Sequence, residues 1–152
     1  LAPERNTMPT RTAHTAWTGG LQDGSGQVEL SSSKVGTFDV SFPKRTADDA
    51  GGTTSPEELI AAAHSSCYAM QLSAVVAAAG GTPKSFDITE NVSLGPDPAG
   101  GSRLTGIALR VRGEVAGLDA DGFLKAAEQA KVSCPVSKAL TGVDITVDAS
   151  LE

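Results

Sequence analysis

The sequence has few aromatic residues, no excess of positive charge and no long apolar run. Aromatic residues make up 4% of the 152 residues, and twelve basic residues are outnumbered by eighteen acidic ones, which gives a net charge of −6. A protein that binds nucleic acid through its phosphates needs a basic face, so we expect no nucleic-acid partner. No run of 18 apolar residues is present, and we therefore expect no membrane-spanning helix and no membrane partner.

The start of the chain shows no charged and then apolar leader, so we expect a cytoplasmic protein. We expect residues 1–7, which precede Met8, to be an expression remnant, and residues 8–152 to form a single domain. Permanent structural disulfides are disfavoured in the reducing cytoplasm. Two thiols in such a protein are therefore expected to be catalytic or redox-cycling.

The chain has two cysteines, Cys67 and Cys134, and both lie in settings that favour reactivity. The thiolate is the reactive form, so each thiol needs a dipolar or cationic neighbour. Cys134 directly precedes Pro135 at the start of a predicted helix, whose N-terminal dipole favours an anion. Cys67 lies in the middle of an alanine-rich helical pattern and must obtain its charge elsewhere. The candidates are His64, one turn earlier, and an arginine, of which Arg45 in the preceding polar loop is the best placed by sequence.

The pattern of elements predicts an α+β fold. Ser55, Pro56 and Glu58 form a capping-box signature at the start of a long helix, which should end at Gly80-Gly81. This helix is apolar nearly all round, so we expect it to be central and buried. The remaining predictions are strands at 11–18, 27–32, 37–42, 87–94, 104–115 and 143–149, helices at 118–130 and 134–140, and a loop at 43–54.

Glu57 raises a question of distance. It precedes Cys67 by ten residues, which is about 15 Å along an unbroken helix. The two side chains cannot then meet within one chain. If Glu57 assists the thiol, it does so from a second chain, and this predicts a homodimer with composite sites.

Two motifs resemble those of a known family. The segment Ser-Pro-Glu-Glu-Leu-Ile-Ala-Ala-Ala-His-Ser-Ser-Cys-Tyr-Ala-Met (55–70), followed by Cys-Pro-Val-Ser-Lys-Ala-Leu (134–140), strongly resembles the osmotically inducible protein C (OsmC) family. That family is related to the organic hydroperoxide resistance proteins, and the resemblance covers essentially residues 8–152. It implies an OsmC-like α+β fold with N-terminal strands, a long central helix, further strands and helices, and an intertwined homodimer.

The resemblance also implies a thiol-dependent peroxidase that reduces organic hydroperoxides, and hydrogen peroxide less well. By position, Cys67 matches the peroxidatic cysteine and Cys134 the resolving one, while Arg45 and Glu57 match the arginine and glutamate that assist the thiol. Lys44 is the neighbouring alternative to Arg45. The implied reductant is an external dithiol such as a dihydrolipoyl group, and neither a bound cofactor nor a metal is expected.

Two other functions remain open at this point. One is a redox-sensing or stress-binding protein whose thiol pair changes state without useful turnover. The other is a Cys-His hydrolase that would use His64 and would not need Cys134. Because no third group that could orient His64 is visible in the sequence, we expect this histidine to be a packed, hydrogen-bonded residue.

Overall fold

A computed structural model describes residues 9–152, so the expected remnant and Met8 lie outside the described residues. The chain divides into two compact units, one running to Pro56 and the other from Glu57 to Glu152. The elements in chain order are β1 (His14–Thr18), β2 (Ser25–Glu29), β3 (Thr37–Val40), α1 (Phe42–Arg45), α2 (Pro56–Ala78), β4 (Thr82–Pro96), β5 (Ser102–Ala116), α3 (Ala120–Ser133), α4 (Pro135–Ala139) and β6 (Ile145–Leu151).

The N-terminal unit is built on an antiparallel sheet in the order β1-β2-β3. The strand predicted at 37–42 ends at Val40, and the loop predicted at 43–54 is wrong at its start, where α1 forms. Ser41 caps this short helix, since its side chain accepts a hydrogen bond from the backbone N–H of Lys44 at 3.3 Å. Pro43 fits the first turn, where no amide hydrogen is needed. Arg45 therefore occupies the last turn of a helix.

The long helix α2 has the predicted bounds to within one or two residues. It ends because Gly80 adopts a left-handed conformation with φ of 92°, while the amides of Gly80 and Gly81 bond back to the carbonyls of Ala77 and Val76. The expectation of a long central helix is confirmed, but in the single chain α2 is buried on only part of its surface. Its buried residues are Glu57, His64, Tyr68, Leu72, Val75 and Val76, and Met70 is 73% exposed.

By length and composition α2 is also apolar enough to cross a membrane. The absence of a run of 18 apolar residues therefore does not separate this helix from a membrane span. Two of its polar side chains, His64 and Gln71, are hydrogen-bonded to side chains of the same unit, as expected for a helix of a packed domain. The absence of a membrane partner stays a prediction.

The C-terminal unit packs α2 and α3 on a sheet in the order β4-β5-β6. Strands β4 and β5 pair antiparallel, and β5 and β6 pair parallel. The buried residues of the core come from α2, β5 and α3: Tyr68, Leu72, Val75, Val76, Leu109, Val111, Phe123, Ala126, Ala127 and Ala130. The α+β prediction is confirmed.

The hairpin strands β4 and β5 are longer than predicted. Strand β4 begins at Thr82 rather than at residue 87, although Pro83 is a signal that normally marks a strand boundary. The pairing register shifts between Pro83 and Ser85, and such an irregularity accommodates a residue that cannot donate to the ladder. Strand β4 carries Glu90 into the candidate site, at a position that the predicted strand 87–94 already included.

Candidate active site

The structure brings the two cysteines together. Cys67 lies in the middle of α2, and Cys134 lies at the junction of α3 and α4. Both are free thiols, and the Cys134 thiol donates a hydrogen bond to the Cys67 sulfur with 3.1 Å between the Sγ atoms. Cys134 is fully buried, whereas Cys67 is partly exposed. A small molecule can therefore reach Cys67 more readily than Cys134.

The two thiols share the start of α4 in a way that differs from the sequence expectation. Cys134 is the N-cap residue of α4, but its side chain makes no capping hydrogen bond. The backbone N–H of Val136, in the first turn of α4, instead bonds to Cys67. The start of α4, which was expected to stabilise a Cys134 thiolate, thus gives its Val136 amide to Cys67, and the Cys134 thiol is turned towards Cys67.

The environment of Cys67 as a whole opposes ionisation. Burial raises the pKa of the Cys67 thiol, and the neighbouring Cys134 sulfur raises it further. The hydrogen bond from the Val136 amide acts in the opposite direction without reversing the net shift. A positive charge near Cys67 would favour the thiolate, which is the nucleophilic form.

His64 is a fully buried, hydrogen-bonded histidine, as the sequence predicted. Its Nδ1 atom lies 3.0 Å from both carboxylate oxygens of Glu90, and its Nε2 atom lies 2.7 Å from the hydroxyl oxygen of Ser137. The expectation that no third group orients the histidine is wrong, because Glu90 does so. Both ring nitrogens are engaged by residues other than Cys67, and this argues against a Cys-His dyad.

Sequence reasoning missed Glu90 and Ser137. Glu90 follows Phe86 and Ile88 at every second position, which places an acid on the face of β4 that packs on the core. That position is the signal that could have identified it. Ser137 lies in the Cys-Pro-Val-Ser motif, one helical turn after Cys134, and is 4% exposed.

The structure does not bring Glu57 to the thiol within the chain. Helix α2 runs without interruption from Pro56 to Ala78, so Glu57 lies about 15 Å from Cys67 along the axis. Glu57 is buried, at 8% exposed, and Arg45 is partly buried at the end of α1. Their roles at the thiol stay predictions.

Comparison with known proteins identifies the family. A sequence profile described as OsmC-like protein matches residues 48–148. The chain belongs to the OsmC-like protein family. This OsmC-like chain is 40% identical over 136 residues to peroxiredoxin OsmC of Escherichia coli strain K12, covering 90% of this chain and 92% of the relative. It is 33% identical over 147 residues to the organic hydroperoxide resistance protein OhrA of Bacillus subtilis strain 168, covering 94% and 98%.

The OsmC-like fold is confirmed by solved structures. The organic hydroperoxide resistance protein OhrB of Bacillus subtilis matches with a TM-score of 0.72 and 28% identity, over 91% of this chain and 98% of its own. A protein of the same description from Elizabethkingia anophelis matches with a TM-score of 0.73 and 27% identity, over 97% and 99%. The fold and the cysteine pair described above thus belong to an OsmC-like chain. The names of its relatives refer to peroxide chemistry.

Proposed function

We propose that this protein is a thiol-dependent peroxidase that reduces organic hydroperoxides to alcohols. The observation that carries the proposal is the pair of free thiols, one partly exposed and one buried, with sulfur atoms 3.1 Å apart. The relatives support it, since they are named as a peroxiredoxin and as organic hydroperoxide resistance proteins. The redox-sensor and hydrolase alternatives have no comparable support.

The reaction proceeds in three steps. The Cys67 thiolate attacks the distal peroxide oxygen, the O–O bond breaks, and the alkoxide leaves and is protonated to the alcohol, so that Cys67 becomes a sulfenic acid. The Cys134 thiol then displaces the sulfenic hydroxyl, which forms the Cys67–Cys134 disulfide and releases water. An external dithiol, such as a dihydrolipoyl group, reduces the disulfide by thiol exchange and is itself oxidised.

Arg45 and Glu57 complete the site in this proposal. The guanidinium of Arg45 stabilises the Cys67 thiolate, which burial otherwise disfavours. Glu57 orients the guanidinium through a paired, charge-assisted hydrogen bond. Because Glu57 is remote from Cys67 on its own helix, the assisting residues come from a second copy of the chain, and the functional unit is a homodimer.

The test follows peroxide consumption by wild type, Cys67→Ser and Cys134→Ser with a dihydrolipoyl dithiol and with a monothiol. We expect Cys67→Ser to be inactive, and Cys134→Ser to perform one turnover and accumulate oxidised Cys67.

Cumene hydroperoxide should exceed hydrogen peroxide in kcat/KM by tenfold or more, since each buried CH₂ contributes about 0.8 kcal/mol.

Equal loss of the first turnover in both variants would overturn the assignment of the two cysteines. A wild-type protein that oxidises once and is not recycled by any dithiol would favour the redox-sensor alternative. Activity that depends on His64 and not on Cys134 would favour the hydrolase.

A further inference from the structure

Three side-chain pairs join α2 to the segment that carries Cys134. In each pair one residue lies on α2 and the other lies at the α3–α4 junction: His64 with Ser137 at 2.7 Å, Cys67 with Cys134 at 3.1 Å, and Gln71 with Ser133 at 2.9 Å. Residues three or four apart share one face of a helix, so the α2 members form a single line. The cysteine pair is the middle contact, with a polar contact one turn away on either side.

Each of the two flanking contacts is itself fixed by a third group. Glu90 on β4 holds the buried His64 ring through Nδ1, while Nε2 faces Ser137. The Ser133 hydroxyl donates to the carbonyl of Gln129 at 2.8 Å, which leaves its oxygen free to accept the bond from the Gln71 amide. The side chains of His64 and Glu90 are fully buried, so loss of their partners would leave polar groups unpaired, which is unfavourable.

We propose that these two contacts, His64–Ser137 and Gln71–Ser133, form a polar clamp that holds Cys134 against Cys67 and thereby protects the enzyme from overoxidation. The inference rests on the proposed peroxidase function. His64, Ser137, Gln71 and Ser133 are positioning residues, because they act through Cys134 rather than on the peroxide. Glu90 supports the His64–Ser137 contact by orienting the His64 ring.

The clamp decides between two fates of the Cys67 sulfenic acid. In one, Cys134 displaces the hydroxyl, and the disulfide and water form. In the other, the sulfenic sulfur attacks a second hydroperoxide, whose O–O bond breaks to give an alcohol and a Cys67 sulfinic acid, which a dithiol does not reduce. The first step is intramolecular and depends on how closely Cys134 is held. The rate of oxidation to the sulfinic acid rises with hydroperoxide concentration. If Cys134 is held less closely, disulfide formation slows, and overoxidation becomes the faster step at a lower hydroperoxide concentration.

The test uses the full-length protein with Ser137→Ala, Gln71→Ala and, as a matched control, Ser102→Ala at an exposed position at the start of β5. Each reduced protein is titrated with cumene hydroperoxide, blocked with iodoacetamide and weighed by mass spectrometry. We expect the concentration that converts half of Cys67 to sulfinic acid to fall about tenfold in Ser137→Ala and at least threefold in Gln71→Ala. The rate constant of the first oxidation should stay within about threefold, and Ser102→Ala should match wild type.

An unchanged ratio of disulfide to sulfinic acid in both variants would overturn the clamp while leaving the peroxidase proposal intact. Equal slowing of the first oxidation and of disulfide formation would also overturn it, because that indicates a general disturbance of the site. If Ser137→Ala does not fold, judged by circular dichroism, Gln71→Ala decides the question. Failure of wild-type Cys67 to react with the hydroperoxide at all would refute the proposed function instead.

Discussion

At the scale of single residues, Cys67 is in surroundings that oppose the ionisation of its thiol. Burial and the adjacent Cys134 sulfur raise the pKa of Cys67, and the Val136 amide compensates only in part. Cys67 is nevertheless the partly exposed member of the pair. The C-terminal unit therefore provides an accessible thiol with a second thiol beside it, and the proposed function assigns the activation of Cys67 to a cation.

Arg45 is the residue proposed to supply that cation. In a Cys134→Ser background, we expect Arg45→Ala to raise the pKa of Cys67, because an adjacent cation favours the charged form of the thiol. The measurement is the rate of iodoacetamide alkylation as a function of pH. If the guanidinium lowers the pKa of Cys67 as proposed, its removal moves the midpoint to higher pH and slows alkylation at pH 7.

Lys44 provides a matched control, since it is the adjacent cation and lies exposed in the same short helix. Lys44→Ala should leave the alkylation midpoint unchanged. If Lys44→Ala moves the midpoint and Arg45→Ala does not, the assisting cation is Lys44, the alternative that the sequence left open.

At the scale of elements, β5 packs closely against α3 at Gly113, in the sheet that also contains Glu90. A methyl group added at Gly113 would lie 2.5 Å from the ring of Phe123, which stacks with Phe86 at a centroid distance of 6.3 Å. We expect Gly113→Ala to lower the free energy of unfolding by about 1–3 kcal/mol, as for other overpacked cores, measured by urea denaturation. Gly106→Ala in the same strand meets no atom within 4 Å and should change stability by less than about 1 kcal/mol. Equal effects of the two substitutions would show that packing at Gly113 is not the cause.

Local signals in the sequence were enough for most elements but not for the long-range contacts around the cysteine pair. The capping box at Ser55 and the glycine pair at Gly80 bounded α2 closely, because both signals act within one turn of the helix end. The contacts of His64 with Glu90 and Ser137 span 26 and 73 positions. Such contacts leave no periodic trace, so they emerge only when the strand and the two helices are packed together.

The length of the strands was less predictable for a related reason. The predicted strand begins at residue 87, whereas β4 begins at Thr82 and includes Pro83 at an irregular step of the ladder. Likewise, the polarity of residues 43–54 concealed α1, although Ser41 and Pro43 together carried a helix-start signal. For α1 the helix-start signal is present in the sequence, and the polar composition of the segment masks it.

At the scale of the whole molecule, the exposed face of α2 is the feature that bears on the proposed homodimer. The helix buries one face in its own chain and leaves apolar side chains such as Met70 exposed. An exposed apolar helix face of this kind is a frequent protein–protein contact. With Glu57 about 15 Å from Cys67 on the same helix, a second chain would both cover α2 and bring the glutamate to the thiol.

The last prediction tests this assembly by mixing two inactive variants, Cys67→Ser and Arg45→Ala, unfolding them together and refolding them. A heterodimer would then contain one site with both defects and one site with neither, because the thiols come from one chain and Arg45 from the other. We expect peroxidase activity to return to about a quarter of the wild-type value, since half of the dimers from random pairing are heterodimers and each has one intact site of two. The same experiment with Glu57→Gln in place of Arg45→Ala tests the glutamate separately. Absence of recovery in heterodimers verified by differently tagged chains would mean that each chain builds its own site.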